Sequence, residues 1–344
     1  MNMHQHPVAL LYGAVADSAP ADEQDTLVQV EAVAHTLKTM GYRIKHLPLT
    51  LDLESGRWQL RQTRPLLVFN LVESVAGKGR YIHLAPALLE ESGLPYTGAS
   101  LAATFLTSNK LIAKQLLASA ALPTPPWHCP GTRDQNIETN GPWIVKSVWE
   151  HASIGLDDAS LVATPQQLTQ TIAKQQMRFG GDWFGERYID GREFNLTLLA
   201  SPTGFEVLPP AEIEFPDYPP DKPRIVGYAA KWNTTSFEYQ HTPRRFAFPA
   251  SDQPLLATLK SLALRCAALF QLRGYARIDF RIDRMGQPWI LEVNTNPCLN
   301  PDAGFIAAAA QAGLDLQAVI ARIVADALNR KPTEQAFRSP DWAA

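Results

Sequence analysis

Hydrophobic residues recur along the first third of the chain in two alternating rhythms. Val8 to Tyr12 form a short apolar run, followed by a loop rich in Ala, Asp and Ser. Leu27, Val30, Val33, Ala34 and Leu37 then repeat at helical spacing until Gly41 stops them. Leu66 to Phe69 is a second buried-type run, and His83 to Ser92 a second helix closed by Gly93. Strand then helix, twice over, predicts a small parallel sheet. Ser108 reads as the N-cap of a helix through Ala121, with Lys110 and Lys114 one turn apart, ended by Pro123, Pro125, Pro126 and Pro130. Trp143 to Val148 and Trp183 to Ile189 read as strands, the second running into the turn Asp190-Gly191. Residues 209–223 carry six prolines and predict a long loop, a feature more often functional than idle. Leu314, Val319, Ile320, Ile323, Val324 and Leu328 predict an amphipathic last helix, and the tail after Arg330 reads as disordered.

The most informative pattern runs from Gly274 to Pro297. Tyr275 to Asp283 alternates strictly, with Ala276, Ile278, Phe280 and Ile282 on one face and Arg277, Asp279 and Arg281 on the other. Arg284 to Gln287 makes a turn, and Pro288 to Asn294 a return strand. A hairpin centred between Met285 and Gly286 sets Asp279 opposite Glu292 and Arg277 opposite Asn294. Two carboxylates directly opposed repel, and a hard cation relieves them. Asp, Glu and Asn oxygens suit Mg²⁺, which keeps substrate phosphates among its ligands. Taken alone, the face reads first as a solvated polar surface whose acids pair with arginines. The continuation Asn294-Thr-Asn-Pro-Cys298 shifts that balance by adding an amide ligand and a tight turn. A register slipped by one pair is the open alternative.

Composition narrows the classes. The 344 residues are 46% hydrophobic and 19% charged, enough for one large or several ordinary domains with real cores. The balance of 31 basic against 34 acidic side chains leaves no basic footprint for nucleic acid. Cys129, Cys266 and Cys298 are too few and too scattered for a disulfide framework or a four-ligand zinc site. No apolar run approaches the ~20 residues of a membrane span. The stretch from Pro7 to Ala16 has no Lys or Arg before it and reads better as a first strand than as a leader. The expectation is a cytoplasmic α/β protein.

Gly274-Tyr-Ala-Arg-Ile-Asp-Phe280 and Ile290-Leu-Glu-Val-Asn-Thr-Asn-Pro297 resemble the C-terminal motifs of the ATP-grasp superfamily, in its D-alanine–D-alanine ligase-like branch. The resemblance continues upstream through Gly93-Leu-Pro-Tyr-Thr-Gly98, Ser108-Asn-Lys-Leu-Ile-Ala-Lys114, Leu122-Pro-Thr-Pro125, Ile144-Val-Lys146 and Tyr188-Ile-Asp-Gly-Arg-Glu-Phe194, so it spans roughly residues 65–328 in the family's order. It implies an ATP-grasp fold of three α/β modules: an N-terminal parallel sheet, a central lid and a C-terminal, mainly antiparallel sheet carrying the metals. The expected boundaries are 1–104 for the substrate-side domain, 105–186 for the lid domain, 187–330 for the metal-bearing domain and 331–344 for the tail.

Such enzymes phosphorylate a carboxylate with ATP, and an amine then attacks the acylphosphate, with positioning and charge neutralisation carrying the catalysis. By matched position, the resemblance gives Lys110 and Lys146 to the nucleotide phosphates, with the strip around Ser153 cradling them. It gives adenine to Glu186 with the backbone of Tyr188 and Ile189, and the ribose to Glu193. Asp279, Glu292 and Asn294 should bind two Mg²⁺, with Mn²⁺ as a substitute and Glu292 bridging. Arg277 should stabilise the transferring phosphate, and Lys231, in the long loop, should reach the γ-phosphate. A homodimer is also implied. Each has a plainer reading: Lys110 and Lys114 as a solvated helix face, Glu186 and Glu193 as strand flanks, Lys231 as a loop lysine. Lys146, inside a strand, is least expected to be idle.

The departures from the family pattern are selective. The strip that reads Glu-Gly-Ser-Ser-x-Gly in the D-alanine enzymes is Glu150-His-Ala-Ser-Ile-Gly155, so Ala152 stands where a substrate-side serine is expected, and His151 is assigned no catalytic role. Trp232 replaces the tyrosine of the same triad, and Ala303 the serine for the second D-alanine's carboxylate. Asn70 to Arg80 replaces an acidic His-Gly-x-x-Gly-Glu-Asp-Gly type motif, and Ala21-Asp-Glu-Gln-Asp25 an N-terminal Glu-His-Glu-like one. Nucleotide and metal groups persist while D-alanine groups change, which points to a carboxylate–amine ligase with another substrate pair. D-alanine–D-alanine ligase is the runner-up, and a phosphotransferase or non-catalytic nucleotide binder on this fold the third reading. Glu73, Lys78 and Arg80 follow a strand end, where α/β sheets bind ligands, and the two cations suit an anionic group on one substrate. A solvated basic loop explains them equally.

Overall fold

In the computed structural model, which describes residues 6–129 and 141–330, the chain builds three sheets. Pro130 and the tail 331–344 lie outside the described residues. Val8–Gly13 (β1), Ile44–Leu49 (β2) and Leu67–Asn70 (β3) form the parallel sheet, in the order β2-β1-β3. Ala21–Thr39 (α1) covers the face carrying Val8 and Leu10. Leu53–Thr63 (α2) and Leu84–Glu91 (α3) cover the face carrying Ala9 and Leu11. β2 escapes a periodicity reading because Lys45, His46 and Pro48 interrupt it. It is an edge strand, where a proline's missing N–H costs no ladder bond.

Leu101–Ser108 (α4) and Lys110–Ser119 (α5) follow. Ser108 closes α4, and the cap of α5 is Asn109, whose Oδ1 accepts the N–H groups of Leu111 and Ile112 at 3.0 Å. The expected cap is therefore displaced by one residue, because the two helices meet at an extended Asn109. The antiparallel central sheet comprises Trp127–His128 (β4), Trp143–Ser147 (β5), Leu161–Val162 (β6) and Trp183–Arg187 (β7), in the order β4-β7-β5-β6. Pro165–Phe179 (α6), started by a Thr164–Gln167 capping box, packs Leu168 and Ile172 against Trp143, Val145 and Trp183.

The third sheet is antiparallel throughout. Gly191–Ser201 (β8), Gly204–Val207 (β9), Ala211–Ile213 (β10), Arg244–Arg245 (β11), Tyr275–Asp283 (β12) and Pro288–Asn294 (β13) run in the order β11-β10-β8-β12-β13, with β9 on β8. β10 lies inside the segment read as loop, where Arg192 and Arg245 both bind the Glu212 carboxylate. Tyr228–Trp232 (α7) and Phe237–Gln240 (α8) interrupt the rest of that loop. Gln253–Leu269 (α9), α4 and α5 share one core with β8, β12 and β13. Gly304–Gln311 (α10) and Leu316–Asn329 (α11) instead pack with α1 and β1, in a cluster that also contains Leu199 and Tyr275. The first and third modules are thus fused through a common interior. Among the described residues no single helix is long and apolar enough to cross a membrane.

Candidate active site

The β12–β13 hairpin has the inferred register at its working end. Asp279 faces Glu292, and Arg277 faces Asn294. A bulge just after Asp279 then moves Phe280 onto Ile290, so the slip weighed above occurs on the turn side alone. Ala276, Ile278, Phe280 and Ile282 are fully buried, which aims the alternate residues into the cleft. That polar face is not a solvated one. The Arg277 guanidinium holds both Asp279 oxygens, at 2.7 and 2.8 Å, and Asn195 Nδ2 donates to the same carboxylate at 2.9 Å. Arg281, 4% exposed, pairs with Glu193 at 2.7 Å.

Glu292 is met from the other side by His151 Nδ1, with Lys110 Nζ at 3.6 Å. Burial works to raise its carboxyl, but Lys110, His151 and Lys231 outweigh burial and hold it well below the ordinary range. Burial would likewise lower the Arg277 guanidinium, yet Asp279, Glu292 and Glu193 keep it raised. Among the described residues no three His, Cys, Asp or Glu side chains suffice for a metal on their own. The available donors are two opposed carboxylates and the Asn294 amide, whose Oδ1 also accepts Asn296 N–H at 3.0 Å. An incomplete set of hard oxygens fits Mg²⁺, which fills its remaining positions with water and phosphate oxygens.

The central sheet and α5 supply a buried triad of two lysines and one carboxylate. Lys146, on β5, and Lys114, on α5, both bind the Glu186 carboxylate at the end of β7, the latter at 2.7 Å. Burial pushes Glu186 up, but the two lysines overcome it and hold the carboxyl low. Lys114 is 1% exposed and also donates to Thr124 Oγ1 and Pro125 O, so the solvated-face reading fails for it. Burial lowers its ammonium to about 8, which leaves it protonated at neutral pH. Lys110 is likewise buried, and its Nζ donates to Glu150 O at 2.6 Å. Tyr188 N–H bonds to Pro142 O, and the chain turns through Ile189 into β8.

The strip 150–156 is stitched to the segment carrying Lys231. Ser153 Oγ donates to Val226 O, Trp232 Nε1 to Ala152 O and Lys231 Nζ to His151 O. Lys231 belongs to the short helix α7, not to open loop, and burial lowers its ammonium, with Arg277 adding to the effect. Ser153 and Gly155 both sit at positive φ, and a Cβ on Gly155 would lie 2.6 Å from the Trp183 ring. On the opposite side Gly79 N–H donates to Glu150, so closely that a Cβ there would stand 2.7 Å from its oxygen.

Glu73 enters the cleft beyond β3, and its carboxylate accepts Gln29 Nε2 at 2.9 Å. Lys78 and Arg80 remain exposed, Arg80 over the rings of Tyr81 and Trp149. The sequence reading gives no role to Lys114, His151, Arg281 or Asn195. Arg281 shares the alternating face of Arg277 and Asp279, a usable signal, whereas His151 meets a partner 141 residues away.

A family model described as D-ala D-ala ligase C-terminus matches residues 127–325. An uncharacterised protein of Sinorhizobium fredii, y4sG, is 35% identical over 74% of this chain and 72% of its own length. A D-alanine–D-alanine ligase of Synechococcus sp. is 30% identical over 92% of this chain and 93% of its own. The crystal structure of Bacillus anthracis D-alanine–D-alanine ligase complexed with ATP superposes with a TM-score of 0.70 at 18% identity, over 94% of this chain and 97% of that one. At that identity the superposition speaks for the fold.

Proposed function

Since the chain belongs to the D-alanine–D-alanine ligase family of ATP-grasp enzymes, ATP-dependent ligases that form C–N bonds, we propose that it joins a small carboxylate to an amine other than a pair of D-alanines. ATP would phosphorylate the carboxylate, and the amine would then displace phosphate from the acylphosphate. Lys110, Lys146 and the strip at Ser153 receive the phosphates in this reading, with the backbone of Glu186, Tyr188 and Ile189 at adenine and Glu193 at the ribose. The Glu186 carboxylate itself supports the two lysines. Asp279, Glu292 and Asn294 would hold Mg²⁺, which neutralises phosphate charge during transfer. Arg277 and Lys231, close enough to repel each other, would both serve the phosphoryl group. Three modules and a homodimeric assembly complete the proposal, with the lid borders moved from 104 and 186 to about 127 and 187, because 104 would cut α4, 186 would cut β7, and α5 packs with the third sheet.

The observation that carries the substrate reading is the contrast between kept and lost groups. Arg277, Asp279, Glu292, Lys110 and Lys231 gather within one charge cluster. The three positions where the family holds D-alanine carry Ala152, Trp232 and Ala303. Trp232 spends its indole N–H on Ala152 O, and Ala303 starts α10 without a capping side chain. A pocket stripped of hydrogen-bonding partners discriminates differently. D-alanine–D-alanine ligation remains the second reading, favoured by 30% identity over nearly the whole Synechococcus enzyme.

The deciding experiment is ADP release by purified protein with Mg²⁺ and ATP across pairs of amino acids and small acids. The expected result is turnover that needs both an acid and an amine, with D-alanine alone a poor substrate. D-alanine as the best pair would install the second reading. Turnover with a single hydroxyl or carboxyl acceptor and no amine would make the protein a phosphotransferase.

A further inference from the structure

We propose that Glu73 is the catalytic residue that takes the proton from the attacking ammonium, an assignment that rests on the ligase reading above. Glu73 lies just past the carboxyl end of β3, and the backbone there is tied to the metal-side turn. Asn296 Nδ2 donates to Val72 O at 2.9 Å, and Asn296 stands two residues beyond Asn294. The carboxylate is aimed by Gln29, which is 1% exposed. Gln29 Oε1 accepts Leu299 N–H at 2.6 Å, which forces its Nε2 donor toward Glu73. Three elements therefore fix one carboxylate beside the hairpin.

Its partner distinguishes it from the other acids of the cleft. Asp279 is held by Arg277, Glu193 by Arg281, and Glu292 by His151 with Lys110 Nζ at 3.6 Å, so each already meets a basic side chain. Glu73 bonds to an uncharged amide instead. Burial raises its carboxyl to about 7, Asp25 on α1 adds to the rise, and Arg277 on β12 and Lys231 on α7 oppose it. Tyr275 on β12 and Cys298 after β13 also face it, both protonated at neutral pH because burial raises them. A carboxylate with that affinity for a proton is matched to general-base work near neutrality.

The step balances. The carboxylate removes one proton from the ammonium, and the freed nitrogen lone pair attacks the acyl carbon of the acylphosphate. As the C–N bond forms, the C–O bond to phosphate breaks and its electron pair leaves with phosphate. The nitrogen's second proton goes to that phosphate, and Glu73 releases the first to water. Arg277, in the ligase reading, would stabilise the oxyanion of the tetrahedral species.

The test uses hydroxylamine, an amine already neutral at neutral pH, which needs no base. Full-length protein with Mg²⁺ and ATP is supplied with the common L- and D-amino acids as carboxylates, and either hydroxylamine or an amino acid as acceptor. The variant is Glu73→Gln, whose carbonyl still accepts Gln29 Nε2. Hydroxamate formation should stay within about twofold of the unaltered protein. Amide formation should drop by about a hundredfold at neutral pH and recover as pH rises toward the pKa of the amine. Glu73→Asp should keep part of the amide rate together with the acidic limb of its pH profile, which secures the test should Glu73→Gln misfold. Equal losses of hydroxamate and amide, or an unchanged amide rate, would overturn the assignment. No ADP release and no hydroxamate from the unaltered protein with any acid would instead remove the ligase reading beneath it.

Discussion

At the hairpin end of the cleft, Asp279 and Glu193 meet arginines, Glu186 two lysines, and Glu292 His151 with Lys110 at 3.6 Å, whereas at the end lined by α1 the acids accept hydrogen bonds from neutral donors. There Glu73 has Gln29, Asp25 has Asn300 and the Cys298 thiol, and Asp22 has the Tyr228 hydroxyl. The physical consequences are opposite. Glu186 and Glu292, beside their lysines, keep their carboxyls low despite burial, so charge is already organised in the cleft before a ligand arrives. Glu73, hydrogen-bonded only by an amide, is opposed by Arg277 and Lys231, yet burial outweighs them and raises its carboxyl. In the proposed reaction the first end would take the phosphates and the second the ammonium.

The strongest way to break this comparison is Glu292→Gln. It removes the charge that Lys110 and His151 share and one metal ligand. We expect ADP release to fall by about a thousandfold or more while the circular dichroism spectrum and melting cooperativity persist. Full Mg²⁺-dependent turnover would remove Glu292 from the metal site. Next in size is Lys114→Met, which leaves the buried Glu186 with Lys146 alone. Stripping one partner from a buried ion pair costs about 3–5 kcal/mol, so urea unfolding should show a loss of that order. A loss below about 1 kcal/mol would reduce the triad to the status of a surface pair.

A smaller effect separates the ends by pH. Glu73 binds its proton more tightly folded, with the carboxyl raised from 4.5 to about 7, than unfolded. Between those two values the folded state carries the extra proton, so Glu73 makes stability fall as pH rises through that window and adds no further slope above it. Denaturant midpoints across that range should show the decline, and Glu73→Gln should flatten it. An identical slope in both proteins would mean that Glu73 titrates normally. The smallest effect concerns Arg80→Ala. The side chain is exposed beside Trp149, so KM should rise only a few-fold, by about 1 kcal/mol or less, and only for a substrate with an extra anionic group. An unchanged KM for every accepted substrate would take Arg80 out of the site.

What could be read from the sequence follows the range of the interactions. The strict alternation from Tyr275 to Asp283 placed Asp279 opposite Glu292, because a period of two and a short turn determine a hairpin locally. The bulge beyond Asp279 depends on how β12 also pairs with β8, which no hairpin pattern contains. β8, the longest strand of the third sheet, went unread although it forms that sheet's centre. Lys114 looked like a surface residue because its counter-charge comes from the distant end of β7. His151 was set aside for the same reason. Glu73 was legible as a residue at a strand end, but its affinity for a proton arises from the burial that α1 and the turn after β13 impose.

The sharing of interiors sets rules for recombining this chain with its relatives. Val8, Val30, Leu199, Tyr275 and Val324 lie in a single cluster, so a crossover that exchanged the N-terminal 104 residues would sever one hydrophobic interior and mismatch its halves. The central sheet is different. Among the described residues its cluster of Trp143, Val145, Val162, Leu168, Ile172 and Trp183 draws on no other part of the chain. A cassette cut near residues 127 and 187 carries its apolar packing with it, but it must also keep a lysine on α5 for the buried Glu186, so the nucleotide cover is the more transplantable piece.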